Sequence, residues 1–378
     1  MSLIKISICC LALLMNLQSS YAEEQKIKSS LFSSAIGDAL GRVTEFIGSV
    51  ENQFERYPGG LTSFRDFKES DWENIPSSFK ESKIAPYTDD TRMALLVADV
   101  LVESCKNKWN KETTMSQIAK AFINDLENSQ YGWAAYYRVP GNACIAGVRV
   151  LKRKSSQEQS TLGWWDARAS NAGGCGSVMR AFPFGLAFSS DPEKAKTWAA
   201  DHSKITHGAP CALASCAAMA LGIAEALRGE KDEQAIIWDM IEAAYSYDKL
   251  TADKMIKALL YAQEAKALLI SYGGVSLQKA FNHPEFVALH KQVFTDFLGW
   301  SAHDALAATI YVFALFPKDI SCALYVAVHT PGDSDSIAAM AGALVGAYSG
   351  SMPDKSMVDS IEESGRFNAL ARQLATLK

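Results

Sequence analysis

The spacing of hydrophobic residues along this chain is mainly helical. Apolar side chains recur every three or four positions through most of the sequence, and the strict alternation of a half-buried strand is nearly absent. No repeating order of strand, helix and strand is visible. We therefore predict an all-α fold. The predicted helices cover residues 26–41, 92–105, 114–126, 141–151, 177–187, 193–202, 210–228, 233–245, 252–268, 277–281, 284–297, 301–314, 319–327, 336–348 and 356–376.

Two long segments interrupt the helical pattern. Residues 46–87 are rich in aromatic and charged side chains, and residues 152–176 contain a basic run, two tryptophans and a glycine-rich end. Long ordered loops in a compact domain are commonly functional, so we expect residues 46–87 to cover a substrate groove. The sequence has no linker rich in proline, glycine and serine. Residues 23–378 are therefore predicted to form one domain.

The first 22 residues have the pattern of a secretory signal. Lys5 is the lone positive charge, residues 6–17 are apolar, and the small residues Ser20 and Ala22 precede an acidic start at Glu23. We expect cleavage after Ala22 and export to the periplasm or the exterior. An uncleaved membrane anchor is the alternative, although the segment is short for one.

Composition narrows the class of protein. The chain has 378 residues, is 48% hydrophobic and carries a net charge of −5, which suits a large buried core. Because it is mildly acidic and has no dense block of lysine or arginine, nonspecific nucleic-acid binding is not expected. We expect a monomer without stable membrane association once the signal is removed. Six cysteines remain after cleavage, and their scattered spacing favours mostly buried free thiols over disulfides: Cys105, Cys144, Cys175, Cys211, Cys216 and Cys322.

Two acidic runs each precede an apolar helix. Asp333 and Asp335 follow a Pro-Gly turn and open a helix of small residues, where they either cap the helix or bind a cation. Asp89 and Asp90 repeat the pattern, and adjacent carboxylates repel each other unless a cation or solvent separates them. Hard oxygen donors suit Mg²⁺ or Mn²⁺ better than zinc. We therefore predict that the four aspartates meet in one metal-binding pocket.

Five short runs, in this order, resemble those of the ADP-ribosylglycohydrolases. That family includes the dinitrogenase-reductase activating glycohydrolases and the ADP-ribosyl-arginine hydrolases. The resemblance extends over residues 28–350 and implies a single-domain orthogonal bundle of many helices. The matching runs are residues 37–41 with Glu45, residues 88–91, residues 176–180, residues 206–208 and residues 332–336.

The resemblance also implies a catalytic centre with two Mg²⁺ or Mn²⁺ ions. Glu45 is expected to act as general acid/base or to position water, with Asp89 and Asp335 also at the catalytic centre, while Asp38 is expected to make a structural hydrogen bond. An ordinary surface glutamate is the alternative for Glu45. The implied metal ligands are Thr88, Asp89, Asp90, Asp333, Asp335 and Ser336.

A glycine-rich run offers backbone N–H groups that can cradle a diphosphate. Cys175 stands where related sequences usually carry asparagine, and Arg180 is expected to hold the loop. For adenine stacking the aromatic candidates are Tyr131 with Trp133, or Trp164 with Trp165, and core packing is the alternative. The predicted substrate-binding residues are Gly174, Cys175, Gly176, Ser177, Met179 and His207.

The function that the resemblance implies is hydrolysis of the N-glycosidic bond between ADP-ribose and a protein side chain. The Asp-Ser-Asp-Ser form of residues 333–336 resembles the arginine-directed branch of the family, so ADP-ribosyl-arginine is the expected linkage. The expected partners are an ADP-ribosylated protein or ADP-ribose. Two alternatives stay open: a family member without activity that binds ADP-ribose or has a structural role, and a hydrolase of another ADP-ribose derivative.

Overall fold

The computed structural model describes residues 2–128, 130–158, 161–168, 171–274 and 276–377, with only the backbone for residues 2–20 and 157–158. Within these ranges the regular structure is helical, with two isolated β-bridges and no strand, which confirms the predicted all-α class. The helices are α1 Ser2–Gly41, α2 Val50–Arg56, α3 Ser77–Ser82, α4 Asp89–Lys106, α5 Lys111–Leu126, α6 Asn142–Glu158, α7 Phe182–Ala187, α8 Pro192–Ser203, α9 Pro210–Arg228, α10 Glu233–Tyr245, α11 Lys249–Ser271, α12 Leu277–Ala280, α13 Pro284–Asp296, α14 Ala302–Leu315, α15 Ile320–Val328, α16 Ser334–Ser349, α17 Lys355–Ser360 and α18 Ser364–Ala375.

Helices α1 and α16 pack together with their backbones in contact. A Cβ atom added at Gly342 of α16 would lie 2.2 Å from the carbonyl oxygen of Ser33, and one added at Gly37 of α1 would lie 2.4 Å from that of Ala338. Glycine lowers helix stability, so its use here is explained by the close approach. The smooth glycine face of α16 is therefore the surface on which α1 lies.

The C-terminal end of α1 lies against the first turn of α16. A Cβ atom on Gly41 would lie 2.4 Å from the Cα atom of Asp335. The Ser334 hydroxyl donates to the Gly41 carbonyl at 2.9 Å and lies 3.0 Å from the Thr44 hydroxyl. These contacts place Glu45, which follows Thr44, beside the acidic start of α16.

Helix α9 forms part of the core. Among the described helices it alone is long and apolar enough to cross a membrane, and 83% of its most apolar window is buried inside the protein. A buried core helix passes the same test of length and composition. Its C-terminal end is set by Gly229, whose positive φ of 69° continues the chain in the left-handed region.

Several predicted boundaries differ from the structure. The helix predicted over residues 356–376 is divided into α17 and α18, because Glu363 adopts a φ of 54° and Glu362 pairs with buried Arg138. The predicted helix 177–187 is shortened to α7, preceded by a 3-10 turn at Cys175–Ser177. Helix α1 also extends back through the predicted signal segment, whose cleavage stays a prediction. Residues 46–87, predicted as irregular, contain α2, α3 and the 3-10 turns Phe64–Asp66 and Glu69–Trp72.

Candidate active site

Three distant parts of the chain meet at an acidic pocket of about 360 Å³. Asp89 and Asp90 come from the first turn of α4, and Asp333 and Asp335 come from the start of α16, so the structure brings together the four aspartates whose meeting was predicted. Glu45 joins them from the loop after α1. Carboxylate oxygens of Glu45, Asp333 and Asp335 lie within 4.8 Å of one another.

The start of α4 is held by a buried carboxylate behind the pocket. Asp38 accepts hydrogen bonds from the backbone N–H groups of Thr88 at 2.9 Å and Thr91 at 3.0 Å. Thr88 is the N-cap residue, and its hydroxyl accepts from the N–H of Asp90 at 3.2 Å. The structural hydrogen bond predicted for Asp38 is therefore present. It fixes the turn that carries Asp89 and Asp90.

Helix capping does not account for Asp333. It occupies the N-cap position of α16, yet its side chain accepts no hydrogen bond from the first-turn amides. One carboxylate oxygen instead lies 2.8 Å from the Cys175 sulfur. Asp335 accepts from the N–H of Ser336 at 2.9 Å. The Asp333 carboxylate is thus directed at the pocket rather than at the helix end.

A short segment between α13 and α14 connects the two loops of the site. The Leu298 carbonyl accepts from the Asp333 N–H at 2.8 Å, and the Trp300 carbonyl accepts from the Cys175 N–H at 3.2 Å. Gly299 between them has a φ of 93°, which suits glycine. Sequence reasoning treated residues 298–300 only as a gap between helices. A glycine followed by an aromatic residue in such a gap was the available signal.

Burial and mutual repulsion strongly favour the protonated forms of these carboxyl groups. Burial raises the pKa of Glu45 to about 11, with further contributions from Asp335 and Asp333. Burial, followed by the charge of Asp335, also raises the pKa of Asp89 and of Asp90 well above the usual range. None of the described residues that line the pocket is a lysine or an arginine. The site therefore requires bound protons or a bound cation to hold this many carboxylates.

The donor set fits a divalent metal. Asp90 Oδ1 and Glu45 Oε2 are buried and have no hydrogen-bond partner in the described structure. Unpartnered carboxylate oxygens facing one pocket are the hard ligands that Mg²⁺ and Mn²⁺ prefer. Of the predicted hydroxyl ligands, Ser336 lines the pocket, whereas Thr88 is buried behind it and donates to Asp90 Oδ2 at 3.2 Å. Glu45, expected to act as general acid/base or to position water, is also close enough to serve as a ligand.

The glycine-rich loop forms the opposite wall. Five of the six predicted substrate-binding residues line the pocket, and Ser177 does not, because its hydroxyl is buried 2.9 Å from that of Ser203. A Cβ atom on Gly176 would lie 2.6 Å from the Cys144 sulfur, so the close packing of the loop requires glycine there. The five that line the pocket are Gly174, Cys175, Gly176, Met179 and His207.

Arg180, which follows the glycine-rich loop in the chain, is anchored behind the pocket by partners outside that loop. Its guanidinium group is fully buried and donates from Nε to His202 at 3.0 Å and from a terminal nitrogen to the Thr206 hydroxyl at 2.7 Å. His202, which the sequence left without a role, is the acceptor for one of these bonds. Burial, followed by the charge of Arg180, lowers the pKa of His202 well below its usual value, so the ring is neutral.

None of the aromatic candidates for adenine stacking lies in the pocket. The indole N–H of Trp133 donates to the Phe122 carbonyl at 2.9 Å, and Trp164 and Trp165 are likewise buried. None of these tryptophans, nor Tyr131, lines the pocket. Core packing, the alternative weighed above, is what the structure shows for the three tryptophans.

The pocket mouth carries a different aromatic pair. The rings of Phe46 and Trp300 are stacked, with centroids 5.9 Å apart and planes inclined by 20°. Both line the pocket, and 69% of Phe46 and 45% of Trp300 are exposed. Sequence reasoning missed this pair. The available signal was an aromatic residue directly after the candidate Glu45.

Comparison with known proteins places these features in a family context. A family model described as ADP-ribosylglycohydrolase matches residues 19–378. An ADP-ribosylhydrolase ARH3 from Danio rerio is 26% identical over 93% of this chain and 90% of that protein. An ADP-ribosylarginine hydrolase Tri1 from Pseudomonas putida GB-1 is 25% identical over 92% of this chain and 77% of that protein. A solved structure titled ADP-ribosylglycohydrolase-related protein complex matches with a TM-score of 0.61 at 19% identity, over 94% of this chain and 99% of that chain, which shows a shared fold.

Proposed function

Because this chain belongs to the ADP-ribosylglycohydrolase family, we propose that it hydrolyses the N-glycosidic bond between ADP-ribose and an arginine side chain of a modified protein. The observation that carries the proposal is the meeting of Glu45, Asp89, Asp90, Asp333 and Asp335 in one pocket. Glycosidic cleavage at ribose passes through a state with positive charge on the sugar, which a cluster of carboxylates stabilises. The expected cofactors are two Mg²⁺ or Mn²⁺ ions.

The residues suit the steps of this hydrolysis. The C–N bond to the anomeric carbon breaks, water supplies the hydroxyl to that carbon, and the leaving nitrogen gains a proton. Glu45 Oε2, buried and without a partner, is placed to hold or pass that proton. When bound, a divalent cation would neutralise the carboxylates and orient ribose hydroxyls. Asp89, Asp90, Asp333 and Asp335 are the residues that would hold it.

The aromatic pair supports arginine as the leaving group. Phe46 and Trp300 line the same pocket as the carboxylates, whereas the adenine is at the end of ADP-ribose away from the bond that is broken. A guanidinium group is planar and cationic, stacks on aromatic rings and is favoured by acidic surroundings. The relative named ADP-ribosylarginine hydrolase Tri1 and the Asp-Ser-Asp-Ser form of residues 333–336 support the same linkage.

Product analysis tests the proposal. The protein with Mg²⁺ or Mn²⁺ is incubated with an arginine-ADP-ribosylated protein, a serine-ADP-ribosylated peptide and free ADP-ribose derivatives, and released ADP-ribose is measured by mass spectrometry. We expect release from the arginine-linked substrate, loss of release with EDTA, and a higher melting temperature with metal. Release from the serine-linked peptide alone would overturn the assigned linkage.

Asp335→Asn is the variant that connects metal to activity. It removes one charged ligand while nearly preserving shape, so both the metal-induced rise in melting temperature and the release of ADP-ribose should fall. Asp359→Asn, which changes an exposed aspartate of α17, is the matched control and should retain both. If no substrate released ADP-ribose although ADP-ribose bound, a binding role without catalysis would replace the proposal.

A further inference from the structure

Three buried side chains form a hydrogen-bond chain that ends at the pocket wall. The Arg180 guanidinium donates to the Thr206 hydroxyl oxygen at 2.7 Å. That oxygen lies 2.7 Å from Nδ1 of His207, and His207 lines the pocket. Thr206 and His207 are each only 1% exposed, so solvent does not compete for these contacts.

The direction of the chain follows from the chemistry of its members. Arginine has donors and no acceptor, so the Thr206 oxygen must accept from it. The single hydroxyl hydrogen of Thr206 is then free to donate, and Nδ1 of His207 lies within hydrogen-bond distance. Although the Thr206 oxygen has a second lone pair, its hydroxyl hydrogen has no other acceptor among the described residues. Nδ1 is therefore assigned as the acceptor, and the neutral ring carries its hydrogen on Nε2.

The rest of the ring is positioned toward the glycine-rich loop. A Cβ atom on Gly174 would lie 3.6 Å from Nε2, and one on Gly176 would lie 3.5 Å from it. The backbone N–H of His207 donates to the Ser203 carbonyl at 2.7 Å, which fixes the Cα position. On its other side, Thr206 packs on Gly147 of α6, where an added Cβ atom would lie 2.8 Å from the threonine methyl carbon.

We propose that Arg180 and Thr206 are positioning residues that lock His207 in the neutral Nε2–H tautomer, so that it presents one N–H donor to an acceptor oxygen of the bound ligand. This inference rests on the proposed function for the ligand, ADP-ribose. It also assigns His207 a recognition role and excludes it as a base at Nε2. Burial, with a smaller contribution from Arg180, lowers the pKa of His207 to about 3, consistent with a ring that stays neutral.

The wild-type protein gives the first test. The ¹⁵N chemical shifts of His207, measured by NMR without ligand and assigned with a His207→Gln variant, distinguish a protonated ring nitrogen from an unprotonated one. We expect a protonated Nε2 and an unprotonated Nδ1, unchanged between pH 6 and pH 8. A protonated Nδ1 would overturn the proposal whether or not the protein hydrolyses any substrate.

A matched pair of variants tests the role of Thr206. Thr206→Ser keeps the hydroxyl, whereas Thr206→Val keeps the shape and removes it. We expect the serine variant to retain the tautomer and the affinity for ADP-ribose, and the valine variant to show mixed tautomers and bind ADP-ribose about threefold to tenfold more weakly by calorimetry. Unchanged tautomer and affinity in the valine variant would overturn the proposed relay, that is, the hydrogen-bond chain from Arg180 through Thr206 to His207. If the valine variant does not unfold cooperatively on heating, the tautomer of His207 in the wild-type NMR spectrum tests the proposal by itself.

Failure of the relay and failure of the proposed function are distinguishable. Absence of ADP-ribose release, with the Nε2–H tautomer observed and ADP-ribose bound, would remove the hydrolase proposal and leave the relay intact. Conversely, if the protein releases ADP-ribose but His207 is protonated on Nδ1, the proposed function stands and the relay is overturned.

Discussion

Glu45 shows how one side chain acquires a role from the oxygens around it. In the sequence it is one of many glutamates, but in the fold it lies within 4.8 Å of Asp333 and Asp335 with one oxygen unpartnered. Such a group is favoured in its protonated form, and a bound cation would offset that preference. Proton transfer and metal binding are therefore both within its reach.

Replacement of Glu45 tests the proton-transfer role. Glu45→Gln keeps the size and removes the ionisable group, so turnover should fall by roughly 100-fold or more while the fold is retained. Single-turnover release of ADP-ribose and the melting temperature are the measurements. Glu55→Gln, at an exposed glutamate of α2, is the control and should change neither. Unchanged turnover in Glu45→Gln would remove this residue from the mechanism.

Trp300 should affect substrate binding more than turnover. Its ring is exposed at the pocket mouth, where stacking on a guanidinium group contributes about 0.5–1 kcal/mol. Trp300→Ala is therefore expected to raise KM for the arginine-linked protein by about twofold to fivefold with little change in kcat. Trp238→Ala removes a tryptophan of similar exposure, 53%, on α10 away from the pocket, and should leave KM unchanged. Equal effects of the two changes would contradict a binding role for Trp300.

At the scale of elements, the α1–α16 contact sets the geometry of the site. Both helices approach through glycine, and the first turn of α16 carries Asp335 while Glu45 follows α1 by four residues. A shift of one helix along the other would separate these carboxylates. The packing of the two helices therefore sets the separation between Glu45 and Asp335.

Gly342→Ala tests this packing. The new Cβ atom would lie 2.2 Å from the Ser33 carbonyl oxygen, so the helices must move apart. Overpacking of this kind costs about 1–3 kcal/mol in the free energy of unfolding. Gly365→Ala in α18 meets no atom within 4 Å and should be neutral or stabilising, because alanine favours helix. Chemical denaturation of both variants measures the difference, and equal stabilities would contradict the close contact.

A buried histidine pair supports the loop before α16. His290 Nε2 lies 2.7 Å from the His329 carbonyl oxygen, and His329 Nε2 accepts from the Leu61 N–H at 2.9 Å. Burial lowers the pKa of each ring to about 4, below the usual 6.5. The folded protein therefore resists protonation of both rings.

This pair predicts a loss of stability in acid. As pH falls below 6.5 the unfolded chain takes up protons on these histidines and the folded chain does not, so their contribution to the free energy of unfolding decreases until about pH 4. The pocket carboxyl groups, whose pKa is raised, contribute with the opposite sign. The loss is up to about 3 kcal/mol for each ring. Urea denaturation from pH 7.5 to pH 4 measures it. The difference in free energy of unfolding between the wild type and His290→Gln should change by this amount over the range, and a constant difference would contradict the assignment.

At the scale of the whole molecule, α1 contacts the rest of the protein from Glu23 onward in the part of the chain whose side chains are described. Tyr21 and Ala22 are exposed, whereas Glu23 accepts from the Ser189 hydroxyl at 3.1 Å and Lys26 donates to the Ala226 carbonyl at 2.9 Å. Cleavage after Ala22 would leave these contacts of Glu23 and Lys26 intact.

We predict that the mature protein starts at Glu23 and is exported. Mass analysis of the protein from its native host measures the N-terminus, and cell fractionation locates it. The chain without residues 1–22 should melt at nearly the same temperature as the full chain, because the contacts described from Glu23 onward are retained. An intact Met1 in the cytosolic fraction would contradict export.

The sequence by itself determined the helical class, the positions of most helices, the two acidic runs and the structural role of Asp38. These features depend on periodicity and on short motifs, which are local properties of the chain. The sequence also contains glycines spaced by four in α16, which allow another backbone to come close. Even so, it did not identify α1 as the partner, because local patterning does not specify which helix packs on which.

Only the tertiary structure decided which side chains share the pocket. It placed Cys175 beside Asp333, 158 positions away in the chain, buried Trp133, Trp164 and Trp165, and exposed Phe46 and Trp300 at the mouth. A tryptophan in a loop has the same local signature whether it is buried or exposed. The difference arises from packing between distant elements, and the free energy of that packing depends on contacts that no short segment of sequence contains.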